Sequence, residues 1–344
     1  MHPRRTVPRS AAIWLTVLLP ALAFPAPRDA VARAPASGQI NCTVNLPMPI
    51  FIPMGLVPGG LVFDDACQFL YLTNPLMNRV EVLSLATMSF QEPVQVGAQP
   101  VGLDTAPGGA LLYVANSGGN NLSVVDVTKR VEARKIRMPY DASRNDRPYS
   151  VAVASNGKAF YSTAFNGSGF GARVMELDLA TEQSVQRLTV TQDTYIRRSH
   201  DRSAVAVVCN QNFQLYRTAT GTFTPPRNTV MTDIGVDLAG SRFFVISGGQ
   251  VWDANLNQIG AITGGTGSRG AVIDRGGVLA YRSIASRVEF LNLVTFLKTG
   301  EVTIGDPVTA VNTPFADPGQ MAISADGRLV AVTTNTGVAV VRVQ

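Results

Sequence analysis

The sequence predicts an all-β fold: a seven-bladed β-propeller of four-stranded antiparallel blades, closed by pairing of its N- and C-terminal strands. Three observations lead to this prediction. A strand–turn–strand unit recurs seven times, further short apolar strands follow most copies, and the last copy lacks one strand. No helical periodicity is sustained in the 344 residues, so a helix-rich second domain is not expected.

The repeated unit is clearest in GLDTAPGGALLYVAN at residues 102–116, which reads as an apolar strand, a Gly/Pro turn and a second apolar strand. Copies of the same pattern lie at residues 60–74, 150–164, 270–283 and 320–334, and weaker ones at 197–210 and 236–247. They recur at roughly 35 to 50 residues, a period typical of propellers and solenoids. The repeat therefore predicts seven similar units around one axis.

Two further strands complete each unit. After the copy at 102–116 come NLSVVDV and ARKIRMP, and most other copies have equivalents. Four short strands make one propeller blade. The seventh copy supplies only three strands before the chain ends at Gln344, so we expect residues 39–55, which precede the first copy, to donate the fourth. This pairing would close the ring and cover an otherwise open sheet edge.

The segment LYVAN followed by NNLSVVDV resembles the YVTN repeat of bacterial seven-bladed propellers. The resemblance covers residues 55–344, is strongest in the second blade and is faint in the fourth and fifth. It implies the propeller fold and a bacterial source. It does not imply one function, because the same ring carries lactonases, lyases, dehydrogenase subunits and binding proteins.

The N-terminus has the pattern of a secretory signal peptide. A basic start, MHPRRTVPRS, precedes the apolar run AAIWLTVLLPALAF and a stretch rich in small residues. The run is too short to span a membrane, so no transmembrane segment is expected. We predict a signal peptide and short leader at residues 1–34, one propeller domain at 35–344, and export to the periplasm or the extracellular space.

The charge of the chain argues against nucleic-acid binding. The net charge is +5, but residues 1–34 hold five arginines and one aspartate, so the remainder is close to +1. Binding to a phosphate backbone requires a dense basic face. The partners expected instead are a protein or cell-envelope material, with the propeller itself a monomer.

Three cysteines remain in the predicted mature chain: Cys42, Cys67 and Cys209. Export permits a disulfide between Cys42, beside the closing strand, and Cys67, in the turn of the first copy. The alternative is that all three are buried or turn residues, since a closing strand is outermost in its blade whereas the turn lies nearer the axis.

Histidine is nearly absent, which limits the chemistry available. Only His2 and His200 occur, and His2 lies in the predicted signal peptide. No haem-attachment motif and no histidine cluster for zinc or copper is present. We therefore expect neither a cofactor nor a metal site.

The fourth copy departs from the repeat at its first strand, where YIRRSHD replaces apolar and small residues. Because the first strand of each blade lines the axis, Arg197, Arg198 and His200 should face the channel. Mapping the other copies places Arg147, Arg198 and Arg269 where the chain enters the inner strands. We expect these five residues to form a cationic channel mouth that binds a small anion or an acidic side chain of a partner. In the other interpretation they are solvated side chains of a diverged blade.

Two classes of function follow. The preferred one is an exported, non-catalytic binding or scaffold protein that acts through its channel mouth, because no catalytic set is assembled in the sequence. The alternative is a lactonase-like or lyase-like enzyme working around His200 and Arg198, in which polar groups would polarise a carbonyl and position water.

Overall fold

The computed structural model describes residues 42, 44, 46–139, 147–164, 172–190, 194–209, 212–228, 233–309 and 319–343. Within them, 28 strands form seven four-stranded antiparallel sheets. Each sheet is one blade of a β-propeller, which confirms the predicted fold class. The described part of the chain contains no apolar helix of membrane-spanning length.

The first three blades follow one another along the chain. Blade 1 consists of β2 (Leu61–Phe63), β3 (Phe69–Asn74), β4 (Arg79–Ser84) and β5 (Ser89–Gln95). Blade 2 consists of β6 (Pro100–Thr105), β7 (Leu111–Asn116), β8 (Asn121–Asp126) and β9 (Val131–Arg137). Blade 3 consists of β10 (Pro148–Val153), β11 (Lys158–Thr163), β12 (Ala172–Asp178) and β13 (Ser184–Val190).

The next three blades repeat the order, with shorter strands in blades 4 and 5. Blade 4 consists of β14 (Tyr195–Arg198), β15 (Ala204–Cys209), β16 (Asn212–Arg217) and β17 (Thr222–Phe223). Blade 5 consists of β18 (Ile234–Val236), β19 (Arg242–Val245), β20 (Gln250–Asp253) and β21 (Gln258–Ala261). Blade 6 consists of β22 (Ser268–Ile273), β23 (Leu279–Ile284), β24 (Arg287–Asn292) and β25 (Leu297–Thr303).

Blade 7 closes the ring with both ends of the described chain. It consists of β26 (Met321–Ile323), β27 (Leu329–Thr333), β28 (Gly337–Arg342) and, as its outer strand, β1 (Ile50–Pro53). Strand β1 pairs antiparallel with β28, with Ile50 opposite Val340 and Ile52 opposite Val338. The predicted donation of the fourth strand by residues 39–55 is therefore confirmed.

The hydrophobic core lies between neighbouring blades rather than within one. One cluster, for example, joins Tyr113 and Leu122 of blade 2 to Val153 and Met175 of blade 3. Hydroxyl groups on the second strands add polar links: Thr73 Oγ1 donates to Val101 O of the next blade at 2.7 Å. Each blade thus depends on its neighbours for burial, which is why an incomplete ring is unfavourable.

Glycine on the inner strands allows the blades to approach each other closely. A Cβ at Gly102 would lie 2.5 Å from the carbonyl oxygen of Tyr149 in the next blade, and one at Gly60 would lie 2.7 Å from that of Val101. Side chains cannot occupy these positions without shifting a backbone. The glycine at the start of three copies, at residues 60, 102 and 270, therefore reflects blade packing near the axis.

Contacts on one face of the ring fasten the segment ahead of β1. Cys42 and Cys67 form a disulfide with their Cα atoms 5.1 Å apart. The backbone N–H of Cys42 donates to Asp326 Oδ2 at 2.8 Å, so this segment contacts blade 7 as well as blade 1. Cys42 precedes the outer strand in the chain and contacts residues in the turns of blades 1 and 7, which is why it reaches Cys67.

Candidate functional site

The axis of the propeller is a channel lined by residues of all seven inner strands, with a volume of about 330 Å³. The face where the inner strands begin is called the top face below, and the face where they end the bottom face. The walls are largely apolar, with side chains of Val62, Ala152, Val272 and Ala322. Charged side chains also line the channel, and three of the four arginines among them come from blade 4.

At the bottom of the channel, side chains from the end of β14 and from the turn that follows it, residues 198–203, reach toward other blades. Arg198 contacts Asp104 of blade 2, and His200 contacts the backbone of Ile273 in blade 6. Arg202 contacts Asp65 of blade 1 as well as blade 2. Side chains from one blade thus reach three others across the axis. We call Arg198, His200 and Arg202 the channel floor.

Asp104, near the end of β6, holds two members of the floor. Its two carboxylate oxygens each lie 2.9 Å from Arg198 Nε, and Oδ2 lies 3.5 Å from Arg202 Nη1. Backbone N–H groups of Thr105 and Val153 also donate to it, at 2.9 and 2.8 Å. The side chain is buried. Four donors therefore compensate the cost of burying this carboxylate.

Arg202 is buried, with 5% of its surface exposed, and joins four blades. Its guanidinium donates to Thr105 O and Oγ1 in blade 2 and to Val153 O in blade 3. It lies 3.4 Å from Asp65 Oδ1 in blade 1. Burial lowers the pKa of Arg202, and the negative charge of Asp104 opposes that shift. Because its contacts are with protein groups of three other blades, Arg202 has a mainly structural role in the channel floor.

His200 is held in the neutral form. Its Nε2 lies 2.9 Å from Ile273 O, a geometry in which Nε2–H donates to the carbonyl. Burial, together with the positive charge of Arg198, lowers the pKa of His200 to about 4. At neutral pH His200 therefore adds no charge to the channel.

The low pKa of His200 predicts a loss of stability in acid. The ordinary pKa is 6.5, so between about pH 6.5 and 4 the unfolded chain binds a proton that the folded chain does not. Stability should fall as the pH falls through this window, by about 2–3 kcal/mol at pH 4.5. Urea unfolding at pH 7 and 4.5 measures it, with His200→Gln as the control that cannot titrate. Equal losses in both proteins would contradict the assignment.

Arg197 lies above the floor on the channel wall. Its Nε is 3.0 Å from Asp233 Oδ1 of blade 5, an ion pair that lacks the alignment of a hydrogen bond. Burial raises the pKa of Asp233, while Arg197 opposes the rise. The guanidinium also lies over the ring of Tyr195, 5.4 Å from its centroid. Tyr195 in turn meets Tyr149 edge to face, with centroids 6.1 Å apart.

The five residues of the predicted cationic mouth do not form one cluster. Arg147 and Arg269 lie at the top ends of blades 3 and 6, and neither lines the channel. The expectation that Arg198 lies beside them was wrong, because Arg198 is the last residue of β14 and sits at the bottom end. Of the five, only Arg197, Arg198 and His200 line the channel.

The arginines at the end of β14 are paired with carboxylates. Arg197 faces Asp233 and Arg198 faces Asp104. Sequence reasoning missed both carboxylates and Arg202. Asp104 lies in the clearest copy of the repeat, where a charge in an otherwise apolar inner strand was a visible signal. Nothing in the sequence indicates which residues pair with it.

One group of potential metal ligands occurs among the residues with described positions: Cys42, Cys67 and Asp326. The two sulfur atoms are joined in the disulfide. Asp326 accepts hydrogen bonds from the Cys42 backbone and from Ser324 Oγ. The contacts of these three residues therefore contribute to closing the ring rather than to metal binding.

The arrangement as a whole is that of a β-propeller whose central channel is spanned at one end by side chains of blade 4. Among solved structures, the chain is similar to hydrazine synthase of Kuenenia stuttgartiensis, with a TM-score of 0.63 and 16% sequence identity. The alignment covers 86% of this chain and 97% of that one. At this identity the likeness shows the fold alone.

No family model matches the chain, and no curated protein sequence matches it. Membership of the YVTN-repeat group stays a prediction from the quoted residues. The fold alone does not define a function, and the channel is the feature from which one can be inferred.

Proposed function

We propose that this protein is an exported, non-catalytic binding protein that receives a small ligand, or a side chain of a protein or cell-envelope partner, in its channel. One observation carries the proposal: a channel of about 330 Å³ with apolar walls ends on a floor of charged side chains from blade 4. Apolar walls with a few fixed polar groups are typical of ligand sites. Export rests on the signal-peptide pattern of residues 1–34.

The same contacts argue against the lactonase-like or lyase-like alternative. A general base needs a free lone pair and a pKa near the working pH. The oxygens of Asp104 already accept from four donors, and the pKa of His200, near 4, makes it a weak base at neutral pH. The pairs that meet in the channel therefore act as fixed electrostatic partners and do not form a proton-transfer set.

Filling the channel tests the proposal. Ala322→Trp places a large side chain on the wall, and Leu76→Trp adds the same group at an exposed site on the top face. Ligand-observed NMR with a library of small neutral, anionic and cationic compounds should find binders of the wild type. We expect Ala322→Trp to abolish their binding and Leu76→Trp to retain it, at melting temperatures close to the wild type.

The outcome that overturns the proposal is equally specific. Binding that survives Ala322→Trp in a folded protein would place the ligand outside the channel. A wild type that binds no member of the library would remove the channel as a binding site.

A further inference from the structure

Resting on the proposed function, we infer that the group bound in the channel is a single carboxylate attached to a small apolar body, held by the guanidinium groups of Arg197 and Arg198. Three features of the channel support this ligand: the arginine donors that remain available, the balance of charge, and the apolar walls.

The two guanidinium groups are only partly used by the protein. Arg197 directs Nε toward Asp233, and Arg198 donates from Nε to Asp104. Their Nη1 groups make long contacts, 3.4 and 3.3 Å, with backbone carbonyl oxygens of Ile196 and Ser199. Within the described residues, neither Nη2 group makes a hydrogen bond, and the side chains remain 24% and 19% exposed.

Those Nη2 groups suit a carboxylate. A guanidinium presents planar, directed donors that match the oxygens of a carboxylate, and charge-assisted hydrogen bonds are the stronger ones. The ion pairs behind them fix both side chains before a ligand arrives, so little rotamer entropy remains to be lost on binding. Arg197 and Arg198 are thus oriented donors rather than mobile surface charges.

The balance of charge limits the ligand to one negative charge. Four arginines line the channel or its bottom end: Arg197, Arg198, Arg202 and Arg275. Four carboxylates lie on its lining or against these arginines: Asp64, Asp65, Asp104 and Asp233. With all four carboxyls ionised the charges would cancel. Burial raises the pKa values of Asp64 and Asp233, and a protonated carboxyl at either position leaves a small positive surplus. Neutral His200 does not alter this balance. A phosphate dianion would meet Asp104 with too little surplus positive charge to offset the repulsion.

The walls above the floor specify the rest of the ligand. Val62, Ala152, Val272 and Ala322 offer aliphatic surface, and the rings of Tyr149 and Tyr195 stand nearer the top. The volume of about 330 Å³ lies at the lower end of small-molecule sites. An aromatic ring or a short branched chain fits this surface better than a polar body such as a sugar.

Matched probes test the inference. A graded set of arylalkyl carboxylates around phenylacetate is titrated by calorimetry, beside the corresponding amides and benzylphosphonate. We expect the best carboxylate to bind at least about tenfold more tightly than its amide and than the phosphonate. Arg197→Gln should weaken the carboxylate about tenfold or more and leave the amide unchanged. Arg147→Gln, a charge change outside the channel, should alter neither.

The outcomes separate this inference from the proposed function. Amides or cationic compounds that bind as well as carboxylates, and lose binding in Ala322→Trp, would overturn the carboxylate inference and leave the channel a binding site. A tighter phosphonate would overturn the limit to one charge. No binding by any probe, together with no binder in the wider library, would overturn both.

Discussion

Deletion of residues 39–55 is expected to lower the melting temperature by more than about 10 °C and to make the protein self-associate. The deletion removes β1, which covers the edge of β28, and also the disulfide from Cys42 to Cys67. A disulfide closing a loop of this size contributes about 3 kcal/mol, and lost burial of Val44 and Ile52 adds to it. The uncovered strand, GVAVVR, is an apolar edge that can pair with another chain.

Calorimetry and light scattering measure both effects. The double variant Cys42→Ala/Cys67→Ala is the matched control, because it removes the disulfide and keeps β1. We expect this control to lose part of the stability and to stay monomeric. A deletion variant that is monomeric with an unchanged melting temperature would show that β1 does not close the ring.

The second large effect concerns the floor of the channel. Asp104→Asn should reduce the free energy of unfolding by about 3–5 kcal/mol, because it leaves Arg202 buried without its central carboxylate and removes the partner of Arg198. Glu182→Gln is the control: it breaks an exposed ion pair with Arg134, and its effect should stay within about 1 kcal/mol. Urea unfolding at neutral pH compares the two.

Similar losses in Asp104→Asn and Glu182→Gln would contradict a floor fixed by Asp104. In the opposite direction, a fully unfolded Asp104→Asn protein would support it, provided that Glu182→Gln folds. The account predicts that the same substitution also changes the channel chemistry, since Arg198 loses the contact that orients it.

Much of the fold could be predicted from the sequence because a repeat encodes it locally. The template at 102–116 already contains an inner strand, a turn and the next strand, and a glycine at its start marks the close approach of neighbouring blades. The closing strand followed from counting: the seventh copy lacked a fourth strand, and the apolar segment ahead of the first copy was the available donor.

The channel floor could not be predicted in the same way. Arg202 meets Asp104 at a separation of 98 residues and Asp65 at 137. A repeat pattern gives the strand on which a residue lies, but long side chains cross the axis to blades that the pattern does not pair. The repeat pattern places Arg198 at the start of its strand, whereas it is the last residue, because the inner strand of blade 4 is only four residues long. In so short a strand, a shift of three residues carries a residue from the top end to the bottom end.

The most direct test of the central claim, that the channel is the binding site, is a crystal structure of the protein soaked with the arylalkyl carboxylates. The account predicts ligand density inside the channel, with the carboxylate within hydrogen-bond distance of Arg197 or Arg198 and the ring against Val272 or Ala322. Ligand found only on the outer surface, with a channel that holds water alone, would contradict it.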